Sequence, residues 1–219
     1  MNKKLKIALI VLGVSAAVTT GVIFFKKKTK KVTQATAVSD GKVVTIELNP
    51  IQSAIITEAE KWVGQEEIEN NQGFKDKNFE KKLAAIGWYK PLPYCAAFVK
   101  VVLLAVSKGA AKTFFQKNTG LGAENNFRNL ATKNDYSEQI KTPEPGCIVC
   151  YTHHNEICVD FDGKEMTVIS ANGSLNDGRK YASGNPVEGV AKKKRKPNSD
   201  IDIKTNNTFL GYIRIKKLS

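Results

Sequence analysis

"LPYCAAFVKVVLLAV", Leu92–Val106, is the stretch on which the fold turns. Pro93 interrupts the chain, and Cys95 then opens a run in which Lys100 is the one polar residue. A helix this apolar has no face to offer water and has to be buried against another layer. Its first turn carries N–H groups without partners inside the helix and a partial positive charge, which favour a thiolate over a thiol. Most free cysteines are simply small buried residues. Cys95 acquires chemistry only if a base and an orienting group lie elsewhere in the chain.

Upstream, Ser53–Glu67 places Ile55, Ile56, Ala59, Trp62 and Val63 at helical spacing. Asn78 is positioned to cap a second helix, with Phe79, Leu83 and Ile86 inward and Gly87 ending it. "WYKPLPY" reads as a loop because its two prolines forbid regular structure. The apolar helix runs Cys95–Ser107 and stops at "KGA", and Asn125–Ala131 forms a short helix. After that the pattern changes. "GCIVCYT", "EICVDFD", "EMTVISA" and "TFLGYIRIK" are short β-rich runs separated by turn residues. Helices first and strands second predict an α+β fold, with helices packed on an antiparallel sheet.

The chain has two histidines, His153 and His154, between two predicted strands, and Asn172 follows the next. Cys, His and Asn in that order supply a nucleophile, a base and a group to orient the imidazole. On a strand beginning near His154, alternation puts His154, Glu156 and Cys158 on one face and Ile157, Val159 and Phe161 on the other. Adjacent histidines cannot both face the thiol. Only one of them can be the base, and His153 is read as a surface loop residue. "CIVCYTHH" invites a zinc reading, but residues three apart on a strand diverge, so Cys147, Cys150 and Cys158 are expected to be structural. No metal or other cofactor is expected.

The net charge of +13 is concentrated in two places. Residues 1–31 hold eight lysines and no acid, and "KKKRK", Lys192–Lys196, adds five cations. This is not the spread of Lys and Arg with interleaved aromatics that a nucleic-acid face shows, and no specific nucleic acid is expected. The "KKKRK" run reads as a solvated loop. Ile7–Phe25 is uncharged and long enough, at ~1.5 Å per residue, to cross a bilayer as one uncleaved helix. The predicted layout is a basic tail (1–6), a transmembrane helix contacting the lipid bilayer (7–25), a basic flank and linker (26–52) and the main domain (53–219).

These motifs resemble the CHAP family, the cysteine- and histidine-dependent amidohydrolases and peptidases of the papain-like group. "PYCAAFV" is similar to the family's "PWCAAFV"; "PGCIVCY" and "HNEICVD" stand where it has "PGDIVVF" and "GHVGIVV"; "SAN" fits its "EGN". "VGQEEIENN", "EGVAKKKRK" and "GYIRI" are similar to segments of phage-type members, and the resemblance spans about residues 53–219. The glycines around the family's His are missing, and Cys147 replaces its common Asp. The resemblance implies Cys95 as nucleophile, His154 as base and Asn172 as orienting residue. Tyr94, Trp88 and Glu67 are candidates to contact substrate. The implied activity is hydrolysis of a peptidoglycan amide bond, as an amidase or endopeptidase, in a phage lysis or virion-associated enzyme. With the apolar N-terminus, the expected location is a single-pass membrane protein with its domain on the wall side, or a virion membrane. The alternative is a catalytically idle wall-binding or virion structural module on the same fold.

Overall fold

A computed structural model of the chain describes residues 32–39, 42–132, 134–201 and 206–219. A hairpin of β1 (Gln34–Ser39) and β2 (Lys42–Glu47) comes first, where the sequence suggests a linker with a short strand at Val43–Leu48; the strand is there as β2, and β1 was not expected. Five helices follow: α1 (Pro50–Glu60), α2 (Lys77–Ala84), α3 (Cys95–Val106), α4 (Gly109–Asn118) and α5 (Ala123–Ala131). Six strands then build one sheet: β3 (Ser137–Ile140), β4 (Ile148–Tyr151), β5 (Asn155–Phe161), β6 (Met166–Ser174), β7 (Glu188–Arg195) and β8 (Phe209–Ile215). The sheet is antiparallel at every pairing, in the order β3-β8-β4-β5-β6-β7.

Local chemistry sets the helix ends. Asn49 and Gln52 form a capping box at α1, with Pro50 in the first turn. Asp76, rather than Asn78, caps α2 through the amides of Asn78 and Phe79. α1 ends at Glu60, short of the expected Glu67, because Gly64 turns the chain at φ +91° and Gln65–Glu67 leave to pair with β7. The Gly64 and Glu67 amides donate to the Val190 and Glu188 carbonyls at 2.8 and 2.9 Å. "KGA" does end α3, but the chain restarts as α4 at Gly109. α4 was not expected, and neither was β3.

α3 lies in the core between the other helices and the sheet. Ala97, Phe98, Val99, Val102 and Leu103 are fully buried with Ile148, Cys150, Ile157, Ile169 and Ile213 from the strands. Each large side chain so buried stabilises the fold by roughly 1.5–3 kcal/mol. The opposite sheet face carries a smaller cluster that includes Cys147, Val149, Cys158, Val168 and Tyr212. Cys147 and Cys150 therefore sit on opposite faces. Phe161, expected beside Ile157 and Val159, belongs to this second cluster, because a register shift between Cys158 and Asp160 reverses the alternation.

"KKKRK" is not a solvated loop. Lys192–Arg195 are the end of β7, paired along β6 from Ile169↔Lys192 to Met166↔Arg195. The expected membrane anchor is also corrected. Among the described residues no helix is long and apolar enough to cross a membrane. Residues 7–25 lie outside the described residues. The fold is an α+β domain of five helices and a six-stranded sheet with a preceding hairpin, and neither the transmembrane element nor the single-pass location is carried further.

Close approach at Gly189 ties the loop after α1 to β7. A Cβ there would lie 1.9 Å from the Gln65 carbonyl oxygen. Gly189→Ala is expected to cost at least about 2 kcal/mol and lower the melting temperature by roughly 4–8 °C. Gly120→Ala, with nothing nearer than 4.0 Å, is the control and is expected to leave melting unchanged. Equal melting temperatures for the two variants would contradict this packing.

Candidate active site

α3 begins without a side-chain hydrogen bond from its N-cap residue, Tyr94, so its first-turn N–H groups are not taken up by a cap. Cys95 is its first residue and is 4% exposed. The thiol meets two groups from the start of β5. Its Sγ is 3.7 Å from the His153 carbonyl oxygen, and the His154 imidazole lies close enough to act on the thiol. Buried Asn155 holds that strand start in place. Its side chain donates to the His154 carbonyl at 3.0 Å and accepts from Asn126 Nδ2 at 3.1 Å.

His154 Nε2 is 3.1 Å from Ser170 Oγ and 3.3 Å from Glu156 Oε1. With Nε2 turned to these groups, Nδ1 is the ring nitrogen left for the thiol. Glu156 is completely buried, and Arg195 covers both of its oxygens. Arg195 Nη2 donates to Oε1 at 2.7 Å, and Nε donates to Oε1 and Oε2 at 3.2 and 3.1 Å. Thiol, imidazole, carboxylate and guanidinium thus form one chain of contacts running from α3 through β5 to β7.

The charges in this chain support one another. Burial pushes the Cys95 thiol up, but the charge and hydrogen bond of His154, helped by the Asn155 and Ala96 amides, hold it below its ordinary value. Burial opposes the imidazolium, yet the Cys95 thiolate and then Glu156 outweigh it and raise His154 to about 9. Burial likewise opposes the Glu156 carboxylate, and His154 followed by Arg195 keeps it ionised, down to about 2. Both directions favour the charged forms, thiolate and imidazolium, over the neutral ones.

Asn172 reaches the site by a different contact from the one expected. It sits in a left-handed conformation, φ +63°, at a register shift of β6, and its Oδ1 accepts the Tyr94 amide at 3.2 Å. It steadies the residue before the nucleophile, and Glu156 takes the place beside the imidazole. His153 is exposed and meets the thiol through its backbone alone.

The three candidates for substrate contact are all buried. Trp88 packs with Phe74 and Tyr94, and its Nε1 donates to the Leu92 carbonyl at 2.7 Å. Tyr94 lies edge-on to Phe74 and Phe79. The Asn172 amide leans on its buried hydroxyl without completing a hydrogen bond. Glu67 is 1% exposed, and neither carboxyl oxygen has a completed hydrogen bond, although the Asn71 backbone pulls weakly on it. Trp88 and Tyr94 are core side chains, whereas Glu67, though buried, helps line a surface pocket with Ile68, Tyr181 and Val187.

Glu156, Ser170, Asn155 and Arg195 were not among the expected site residues. For Glu156 the signal was present, since strand alternation already puts it on the face of His154. Among the described residues no group of three or more His, Cys, Asp or Glu is arranged to hold a metal ion. Comparison of the chain with family models, curated proteins and solved structures finds no match.

Glu67 makes stability depend on pH. Burial, and then the charge of Glu188, push its carboxyl up to about 8. The folded chain therefore binds this proton more tightly than the unfolded chain. The stability so gained is full below the unfolded value and is lost as pH rises to about 8. Glu67→Gln is expected to match the wild type in urea melts near pH 5. It should exceed it by on the order of 2 kcal/mol at about pH 8. Parallel pH profiles for the two proteins would rule out a buried, proton-holding Glu67.

Proposed function

We propose that the chain is a cysteine hydrolase that cleaves an amide bond of peptidoglycan. The observation that carries the reading is the buried contact of Cys95 with His154, with Glu156 behind the imidazole. A thiol at an uncapped helix start, beside an imidazole that is itself held by a carboxylate, is the arrangement that acyl transfer through a thioester needs. The peptidoglycan substrate rests on the resemblance of "PYCAAFV", "HNEICVD" and "SAN" to CHAP motifs.

In this reading the Cys95 thiolate attacks the amide carbonyl carbon. The amides that begin α3, with that of Asn155 across from them, stabilise the oxyanion. His154 gives its proton to the leaving amine, and the C–N bond breaks. The neutral imidazole then takes a proton from water, whose oxygen attacks the thioester. The acid product leaves, and Cys95 is free again.

Digestion of purified peptidoglycan with mass analysis of the fragments tests this. New free amines and carboxyls are expected, and new reducing sugar ends instead would exclude the reading. Cys95→Ala and His154→Ala are each expected to lose activity by about a thousandfold or more. His153→Ala should retain most of it, because its side chain is outside the contact chain. Asn172→Ala should retain part, because it acts on the Tyr94 backbone and not on the proton path. Full activity in His154→Ala would exclude a Cys–His mechanism.

A further inference from the structure

β7 sorts the basic run by strand alternation. Lys192, Lys194 and Lys196 are exposed, while Lys193 and Arg195 turn inward. Arg195 enters the sheet opposite Met166, and Glu156 lies opposite Ser170 on the far side of β6. The guanidinium therefore spans a whole strand to reach the carboxylate, and it meets both oxygens with Nε and Nη2. A fork of donors fixes the plane of a carboxylate, which a single ammonium cannot do.

We propose that Arg195 is a positioning residue for the Cys95–His154 pair, holding Glu156 in the orientation that fixes the imidazole against the thiol. This rests on the Cys–His reading of the site, not on the choice of substrate. The groups that face Glu156 are His154 from its own chain segment, Cys95 beyond it at the start of α3, Ser170 from β6, Tyr151 from β4, and Lys193 and Arg195 from β7. Tyr151 is held neutral by burial. Burial also works against the charge of Lys193, which makes no ion pair among the described residues. His154 meets one oxygen of the buried carboxylate, and Arg195 is the group in this set that meets both. Without it a proton moves onto Glu156, the imidazolium loses its partner and the thiolate fraction falls.

The test is the rate of Cys95 alkylation by iodoacetamide across pH, measured on the full chain, with thermal melting alongside. In Arg195→Met the rate at neutral pH is expected to fall about tenfold, as the acid limb moves up by about one pH unit. Arg195→Lys keeps the charge but loses the fork, and its profile should lie between the two. Lys194→Ala, on the outward side, should keep the wild-type profile. A folded Arg195→Met with the wild-type profile would overturn the proposal. If Arg195→Met does not fold, a wild-type profile in Arg195→Lys would overturn it too, since charge alone would then suffice. A shifted profile in a protein that leaves peptidoglycan intact supports the positioning role and removes the substrate assignment. Peptidoglycan cleavage at an unchanged rate and pH profile in Arg195→Met removes the positioning role alone.

Discussion

A carboxylate with no access to water has to be answered by opposite charges in contact with it, and Glu156 is such a carboxylate. His154 stands on one side of it and Arg195 on the other. When Cys95 beyond the imidazole ionises, the set of Cys95, His154, Glu156 and Arg195 alternates in sign and carries no net charge. Removing one partner of such a set costs roughly 3–5 kcal/mol, because the other charge is left buried alone. Replacing the whole set by apolar residues is often neutral, so stability by itself does not account for it. Its place does: the set ends at a thiol on the first turn of a helix.

That requirement explains why the surrounding elements sit where they do. α3 brings the thiol because it is apolar along its length and has to pack on the sheet. β5 brings the imidazole because the Asn155–Asn126 hydrogen bond fixes its first residue against α5. β6 supplies Ser170 under the imidazole and then bulges, so that Asn172 turns to hold the Tyr94 amide. β7 is pinned to the loop after α1 through Gly189, and Arg195 ends that strand. Three strands and one helix terminus therefore share a single electrostatic constraint.

How far the sequence discloses this depends on how local each signal is. α3 and the strands β4, β5, β6 and β8 are legible because apolar runs and turn residues act over a few neighbours. Alternation allowed only one histidine to face the thiol, the CHAP resemblance chose His154, and it is the side chain that acts on the thiol. Asn172 was assigned beside the imidazole from motif order, which takes no account of a bulge. A single residue at φ +63° redirects its side chain. Glu156 was placed on the face of His154 by the same alternation, yet its role depended on a counter-charge two strands away. Nothing local announces a contact between residues 39 apart. α4 was hidden because "KGA" ends one helix and begins another, and a glycine signal does not distinguish the two.

The basic run shows the same limit in reverse. Counted along the chain, Lys192–Lys196 look like five free cations. Folded into β7 they are not equivalent. Lys192 pairs with Glu60 at 2.6 Å, Arg195 is committed to Glu156, and Lys193 is turned inward. Only Lys194 and Lys196 of the five remain both exposed and without an ion pair among the described residues. Two such lysines make a weak polyanion site, because affinity for a phosphate backbone grows with each cation brought to it. The segment whose composition most suggests a charged ligand thus uses its strongest cation, the one with a planar fork, to answer a charge buried inside the domain.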